Sequence, residues 1–283
     1  MKLGIDSYSF HRFFGETTKW EEPLNEQWSL QEFLNFVEEQ HLLLASLETV
    51  YLKPQTENIE EILSNWLKPP LREVVFTWGH PNGFDGGKKP EMLLDALQFL
   101  QIARSVGVNQ MRIVCGNHWN FSTDPTERFE LLQPLVAELL KEATQSGILL
   151  SIENHADFPV RTLMEFIESF DSPNLGLCLD LGNAIRVGDD AEAVLGELDL
   201  KKVFMIQVKD VRRIEGHEAP TGWWPTVLYG SGDVHLEKCI QVLKRRGYRN
   251  LVIVELSNLY TDLKEVEVAK QAIAFLQNEL TRR

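Results

Sequence analysis

Four oxygen-bearing side chains each end a strand-like segment in the second half of the chain. Glu153 ends SIE, Asp180 ends CLD, Gln207 ends MIQ and Glu255 ends VIVE, each after at least three mostly apolar residues. Parallel strands bring the residues at their carboxyl ends to one edge of the sheet. Three carboxylates held together there would repel one another and lose solvation unless a cation neutralised them. The pattern therefore predicts a divalent metal ion at this edge.

A second interpretation of the same residues needs no metal ion. The strand-end carboxylates could instead pair with nearby cationic side chains, for which Lys209, Arg212 and Arg213 are the candidates. A single carboxylate would fit this interpretation, whereas four oxygen-bearing residues at equivalent strand ends favour the metal.

The segments that would position these residues alternate between strands and helices. Eight short apolar runs are typical of strands that are buried on both faces. The predicted strands are 2–7, 45–51, 73–78, 110–115, 148–153, 175–180, 203–208 and 251–256. No Gly/Ser-rich or Pro-rich linker divides them, and their spacing averages close to one βα unit. The sequence therefore predicts an α/β fold, a single (β/α)8 TIM barrel over residues 1–283.

Eight predicted helices lie between and after these strands. Ser29 and Glu32 have the spacing of a capping box at the start of the first helix. Three later helical runs end at Gly107, Gly147 and Gly247, where glycine is favoured because it adopts a left-handed conformation. These residues at helix starts and ends support the predicted alternation of strands and helices.

Charge and motif content disfavour several classes of partner. The chain has 28 basic and 42 acidic residues and a formal net charge of −14, which disfavours nucleic acid. It contains neither G-x-G-x-x-G after a strand nor a P-loop, so no nucleotide cofactor is expected. The glycine pair in Gly230-Ser231-Gly232 is expected to form a turn rather than a phosphate site.

The cysteines and the apolar runs indicate a soluble cytoplasmic protein. Cys115, Cys178 and Cys239 lie in apolar segments and are expected to be buried thiols in a reducing compartment. No apolar run approaches the ~18–20 residues of a membrane helix. The first residues contain no signal-peptide core. No membrane partner is expected.

Five segments together resemble the xylose-isomerase-like TIM-barrel superfamily, which includes ketose 3-epimerases, hydroxypyruvate isomerases, inosose dehydratases and endonuclease IV. These segments are SIENH, CLDLGN, QVKDVRR, the GSGDV turn and VIVEL. In the epimerase branch, Glu, Asp, His and Glu on strands five to eight bind the metal. The resemblance therefore implies Glu153, Asp180 and Glu255 as ligands, with Gln207 where the family has histidine.

Two departures from the family pattern change what the resemblance implies. Gln207 would bind a metal through its amide oxygen, and an all-oxygen site suits Mn²⁺ or Mg²⁺ more than Zn²⁺. We therefore expect one divalent ion, Mn²⁺ or Mg²⁺ rather than Zn²⁺. The substrate-binding histidine of the family's D-x-x-H segment is replaced by Asn183. The arginine six residues after the strand-seven ligand matches at Arg213.

Further polar residues near the carboxyl ends of the predicted strands are candidates for substrate binding. They are Tyr8, His11, His80, His118, His155, Asn183 and Lys209, together with Arg213. Ordinary loop packing, or an ion pair in the case of Lys209, is the alternative for these residues. Glu48 on the second strand is either a partner of the site or part of a buried salt bridge.

The connection between the seventh strand and the last glycine turn is long for a βα loop. It runs from Arg213 to Tyr229 and carries Trp223-Trp224-Pro225. Such a loop is expected to form a lid or a wall of a sugar pocket, or else a contact between subunits. The oligomeric state is left open.

The resemblance implies a metal-dependent sugar isomerase or epimerase that acts on a small ketose or keto sugar through an enediolate. Glu153 and Glu255 would move the proton between the two faces of one carbon. The opening MKLGIDSYSFHR also resembles a subgroup that includes 3-oxo-isoapionate decarboxylases. A decarboxylase of a 3-oxo sugar acid and an inosose-type dehydratase are therefore alternatives, and a barrel that only binds its ligand is a further one. Seven histidines and the negative charge disfavour a DNA-repair endonuclease.

Overall fold

Eight parallel strands close into a barrel in the order of the chain. The computed structural model describes residues 1–54, 56–68, 71–215 and 222–282. The strands are β1 (Lys2–Asp6), β2 (Leu44–Glu48), β3 (Glu73–Trp78), β4 (Gln110–Ile113), β5 (Leu149–Glu153), β6 (Leu175–Asp180), β7 (Val203–Val208) and β8 (Leu251–Val254). All eight predicted strands are present, and the predicted barrel is confirmed.

Nine α-helices surround the barrel in the described ranges. They are α1 (Leu30–Glu39), α2 (Ile59–Leu67), α3 (Met92–Val106), α4 (Pro125–Gln145), α5 (Val160–Glu168), α6 (Leu181–Arg186), α7 (Ala191–Glu197), α8 (Leu236–Arg245) and α9 (Glu265–Thr281). Eight helices were predicted. The structure has one more because two helices, α6 and α7, lie between β6 and β7. Gly188 adopts φ 91° after α6, and the Asp190 side chain then accepts from the Ala193 amide to start α7.

The predicted helix ends are present as physical contacts. The Ser29 hydroxyl accepts from the Glu32 amide at 3.3 Å, and the Glu32 carboxylate accepts from the Ser29 amide at 2.6 Å. This is the predicted capping box at the start of α1. Gly107, Gly147 and Gly247 all adopt positive φ at or just beyond the ends of their helices.

Barrel closure requires a close approach of β1 to β2. Gly4 pairs with Leu44 on one side and with Ile253 on the other. A Cβ atom at Gly4 would lie 2.6 Å from the Leu44 side chain, so only glycine fits without displacing β2. The register of β6 and β7 pairs Asp180 with Gln207, so these two residues lie side by side at the carboxyl ends of their strands.

The barrel interior is built in layers because alternate residues of each strand point inward. An apolar floor consists of Leu44, Val75, Cys178, Met205 and Ile253, all buried. Two residues further along the same strands are the buried polar residues Ser46, Thr77, Asp180, Gln207 and Glu255. The period of two therefore places a polar layer above an apolar floor.

A larger apolar cluster fills the space between the strands and the surrounding helices. Cys115, Cys178 and Cys239 are buried free thiols, as predicted. Within the described residues, no helix combines the length and the apolar character that crossing a bilayer requires.

Candidate active site

A cavity opens above the polar layer, at the carboxyl ends of the strands. The predicted residues that line it are Tyr8, His80, His118, Glu153, His155, Asn183, Lys209 and Glu255. Asp180 and Gln207 are fully buried beside them and contact residues that line the cavity. Ten of the predicted site residues therefore lie at one place, at the rim where an α/β barrel carries its chemistry.

Glu153 lies at the end of β5 between a cation and an amide. Its Oε2 is 3.0 Å from Arg112 Nε, and its Oε1 accepts from Asn183 Nδ2 at 3.0 Å. Burial raises the pKa of Glu153 to about 8, Arg112 opposes this shift and Glu255 adds to it. The raised pKa makes Glu153 a candidate proton donor.

The Lys209 ammonium lies between the carboxylates of Asp180, which ends β6, and Glu255, which follows β8. It forms an ion pair with Glu255 and lies 3.1 Å from Asp180 Oδ2. Lys209 is only 6% exposed, so water screens these contacts weakly. The other oxygen of Asp180 accepts from the Asn183 amide at 2.7 Å and caps the start of α6.

Gln207 occupies the family's histidine position and hydrogen-bonds within the protein. Its Nε2 donates to Glu255, and its Oε1 accepts from the Cys178 thiol at 3.1 Å. A carboxylate can only accept and a thiol can donate, so these two neighbours fix the orientation of the amide. The amide oxygen that would bind a metal is therefore directed at a thiol.

These contacts do not form a site for a divalent ion. Four of the six carboxylate oxygens of Glu153, Asp180 and Glu255 accept hydrogen bonds from the chain. The other two, Glu153 Oε2 and Asp180 Oδ2, make no hydrogen bond but lie 3.0 Å from Arg112 Nε and 3.1 Å from Lys209 Nζ. The described residues contain no group of three or more His, Cys, Asp and Glu arranged to hold a metal ion. The predicted ligand set of Glu153, Asp180, Gln207 and Glu255 is thus brought together, and the Lys209 ammonium lies between two of its members, Asp180 and Glu255.

Arg112 is a buried cation of the site that the sequence analysis did not identify. It is 3% exposed and forms ion pairs with both Glu48 and Glu153. Glu48 therefore belongs to a buried salt bridge that reaches the site through Arg112. A charged residue inside the apolar run QMRIVC was the signal that could have identified it.

Three histidines line the cavity, each with different surroundings. His155 Nδ1 bonds to the Gly116 carbonyl at 2.9 Å, and burial lowers the His155 pKa well below its usual value. His80 Nε2 bonds to Glu16 at 2.7 Å. Burial lowers the pKa of His118 to about 4, and the cations Arg186 and Lys19 lower it further. His118 and His155 are therefore neutral at pH 7.

Two predicted substrate-binding residues lie elsewhere in the described structure. His11 is 1% exposed and bonds to the Tyr8 carbonyl at 2.9 Å and to Glu21 at 2.8 Å, so both ring nitrogens are engaged within the protein. Arg213 is exposed, and its amide donates to Asp233. Neither residue lines the cavity in the described structure.

Gly230-Ser231-Gly232 forms the predicted turn and anchors the chain that follows β7. The amides of Gly230 and Gly232 donate to Asp210 at 2.8 and 3.0 Å. A Cβ atom at Gly232 would lie 2.1 Å from Asp210 Oδ1, so this close approach needs glycine.

Tryptophans form one wall of the cavity. Trp20 and Trp223 stack with ring centroids 4.9 Å apart, and both line the cavity with Trp224. The long loop therefore contributes to the pocket wall, as predicted. Residues 216–221 of that loop lie outside the described residues.

A family profile described as the xylose isomerase-like TIM barrel matches residues 16–279. The chain belongs to this family. The two curated relatives most informative about its chemistry act on small sugars, judging from their names. The matches span less than two thirds of either relative's length.

One relative is the 3-oxo-isoapionate decarboxylase of Pectobacterium atrosepticum. It is 29% identical over 113 residues, which are 40% of this chain and 39% of the relative. Another is an L-ribulose-5-phosphate 3-epimerase of Escherichia coli. It is 23% identical over 184 residues, which are 64% of this chain and 60% of the relative.

A solved structure of the IOLI protein, described as having a bound zinc atom, has the same fold. Its TM-score is 0.76 at 17% sequence identity, over 100% of this chain and 99% of that one. A likeness at this identity shows the fold alone.

Proposed function

We propose that this protein is a sugar isomerase or epimerase that moves a proton beside the carbonyl group of a small ketose or keto sugar. The observation that carries the proposal is the convergence of Glu153 and Glu255 on one cavity with the cation of Lys209. Two carboxyl groups near one cation are what enolisation requires: a base, an acid and a positive charge for the developing oxyanion.

The residues can divide the reaction between them. Glu255, paired with Lys209, would take the proton from the carbon next to the carbonyl, and the electron pair would move onto the carbonyl oxygen. Lys209 has three N–H donors, and Asp180 and Glu255 engage two of them among the described residues. The third could stabilise the enediolate oxygen. Glu153, whose pKa is raised, would donate a second proton to carbon while Glu255 keeps the one it removed; both glutamates would then exchange protons with water.

The cavity walls suit a polyhydroxylated molecule. Asn183 and His80 provide polar groups at the sides, and the stacked Trp20 and Trp223 provide a flat apolar wall. Pockets for sugars combine such hydrogen-bonding groups with aromatic surfaces. No step is assigned to a divalent ion, because the donors described above already engage the carboxylates that would bind it. The predicted preference for Mn²⁺ or Mg²⁺ rests on Gln207 alone.

A decarboxylase of a 3-oxo sugar acid is the second candidate, favoured by the 29% identical relative. Loss of CO₂ from such an acid leaves an enolate, which needs one cation and one proton donor. Lys209 and Glu153 could supply these. The isomerase uses both glutamates, whereas the decarboxylase needs one.

A screen of ketoses, inososes and 3-oxo sugar acids in D₂O, followed by NMR, tests these candidates. Deuterium at C3 would indicate epimerisation, and deuterium at C1 or C2 would indicate aldose–ketose isomerisation. Loss of a carboxyl signal would indicate decarboxylation. Each reaction is run with EDTA and with added Mn²⁺. Absence of exchange and of product in every reaction would contradict the proposed function.

A further inference from the structure

We infer that the ammonium group of Lys209, assisted by the Arg112 guanidinium, replaces the divalent cation at this site, so that the chain works without a bound metal ion. The inference deepens the proposed function by naming its cationic group. It is tested by metal binding in the absence of any sugar, so its failure and the failure of the proposed function can be distinguished.

The first step is the position of the ammonium. Lys209 Nζ is bonded to Glu255 and lies 3.1 Å from Asp180 Oδ2, which places one positive charge between the carboxylates at the ends of β6 and β8. A divalent ion bound by the same two carboxylates would lie at contact distance from this ammonium. Two cations at that distance in a buried site repel each other strongly. Metal entry would therefore require Lys209 to leave.

The second step is the third carboxylate. Glu153 Oε2 lies 3.0 Å from Arg112 Nε, and its Oε1 already accepts from Asn183. Arg112 is held in place by its ion pair with Glu48. A guanidinium keeps its charge under all physiological conditions, so this partner cannot release Glu153 by losing a proton. The carboxylate from β5 is therefore also compensated by the chain itself.

The third step is the residue that replaces the family's histidine. An imidazole nitrogen binds metal ions readily, whereas an amide NH₂ group has no lone pair available for a metal. Gln207 directs its NH₂ group at Glu255 and its oxygen at the Cys178 thiol. The amide thus engages the second oxygen of Glu255, whose first oxygen accepts from Lys209. The carboxylates of Asp180, Glu153 and Glu255 are therefore each paired with a cation of the chain.

The decisive measurements use the full-length wild-type protein. Metal content is determined by inductively coupled plasma mass spectrometry after dialysis, and the melting temperature is measured with EDTA, Mn²⁺, Mg²⁺ or Zn²⁺. We expect well below one ion per chain and the same melting temperature in all four solutions. One tightly held ion per chain, or a melting temperature that EDTA lowers, would overturn the inference.

Removing the ammonium should open the site to metal. Lys209→Met keeps the length of the side chain but leaves Asp180 and Glu255 without their cation. We expect a lower melting temperature than wild type, and a rise of about 5 °C when Mn²⁺ is added at roughly a hundred times its dissociation constant. The double variant Gln207→His with Lys209→Met should bind more tightly and shift its preference toward Zn²⁺.

Lys201→Met is the matched control, because Lys201 is an exposed lysine just before β7. Its melting temperature should not respond to Mn²⁺. If Lys209→Met binds Mn²⁺ no better than wild type, the inference is wrong. If that variant does not fold, Lys209→Gln replaces it, and the wild-type measurements decide the question by themselves.

Discussion

Glu153 and Glu255 face one cavity, but they have different neighbours. Glu153 contacts Arg112 and Asn183, and Glu255 contacts Lys209 and Gln207. Replacing either with Gln keeps its size and removes the exchangeable carboxyl proton. We expect turnover to fall ~10²–10⁴-fold in each variant of an isomerase or epimerase. Steady-state kinetics on the substrate found in the D₂O screen would measure this.

The two variants also separate the candidate reactions. In a decarboxylase one glutamate should matter far more than the other, because only one protonation follows loss of CO₂. Equal losses would argue against decarboxylation. Glu39→Gln, an exposed glutamate at the end of α1, is the control and should keep full activity. Full activity in Glu153→Gln or Glu255→Gln would remove that residue from the mechanism.

Arg112 forms buried ion pairs, so its replacement should lower the stability of the fold. Arg112→Met would leave Glu48 buried without its cation, and breaking a buried pair from one side typically costs about 3–5 kcal/mol. Urea denaturation followed by circular dichroism would measure the loss. The double variant Arg112→Met with Glu48→Gln should recover only part of it, since it removes the uncompensated charge of Glu48 but leaves Glu153 without Arg112. No difference between the single and double variants would argue against the pair.

The sequence identified most of this site through strand ends. Glu153, Glu255 and Lys209 follow apolar strands, and alternation fixes which of their neighbours point inward. Arg112 escaped identification because a strand interior is expected to be apolar, and only the barrel's polar layer makes a charge acceptable there. Spacing along the chain could not predict that Arg213 lies outside the lining of the cavity, because the loop conformation after β7 decides its position.

At the scale of elements, the turn after β7 depends on the absence of a side chain at Gly232. Gly232→Ala would place Cβ 2.1 Å from Asp210 Oδ1 and 2.7 Å from the Val211 carbonyl oxygen. The turn should therefore open, and both stability and sugar binding should fall. Thermal unfolding and a binding titration would measure the two effects.

Gly196→Ala is the control for this prediction. Gly196 lies in α7 with nothing within 4 Å of a Cβ atom. Alanine is favoured over glycine inside a helix by roughly 0.5–1 kcal/mol. This variant should match or exceed wild-type stability. A Gly232→Ala variant as stable as Gly196→Ala would show that the Asp210 turn tolerates a side chain.

The periodicity of apolar residues predicted all eight strands and every helix but one. All eight strands are present because strands that are buried on both faces are short and apolar, a pattern that few helices share. The extra helix α7 was missed because it is seven residues long and follows α6 after a break at Gly188. A helix this short leaves too few apolar positions to reveal its period.

At the scale of the whole molecule, closure of the barrel brings histidines of separate strands into one buried cavity, and this affects how stability depends on pH. His118 has its pKa lowered to about 4, mainly by burial and further by Arg186 and Lys19, from an ordinary value of 6.5. Between about pH 4 and 6.5 the unfolded chain therefore binds a proton that the folded chain does not. Stability contributed by neutral His118 should be lost as the pH falls through this range.

Glu153 changes the stability in the opposite direction as the pH falls. The pH dependence of the wild-type protein alone would therefore not show the contribution of His118. The pKa of Glu153 is raised from 4.5 to about 8, so the folded state binds the extra proton between these values and stability rises as the pH falls. The difference between wild type and His118→Gln removes this contribution, because Glu153 is present in both proteins. We expect the difference in unfolding free energy to favour His118→Gln progressively from pH 6.5 to pH 4, and to be constant above pH 7. Trp119→Phe, an exposed and non-titrating neighbour, should differ from wild type by the same amount at every pH. A difference for His118→Gln that is equally flat would mean that the ring is as accessible to protons in the folded barrel as in the unfolded chain.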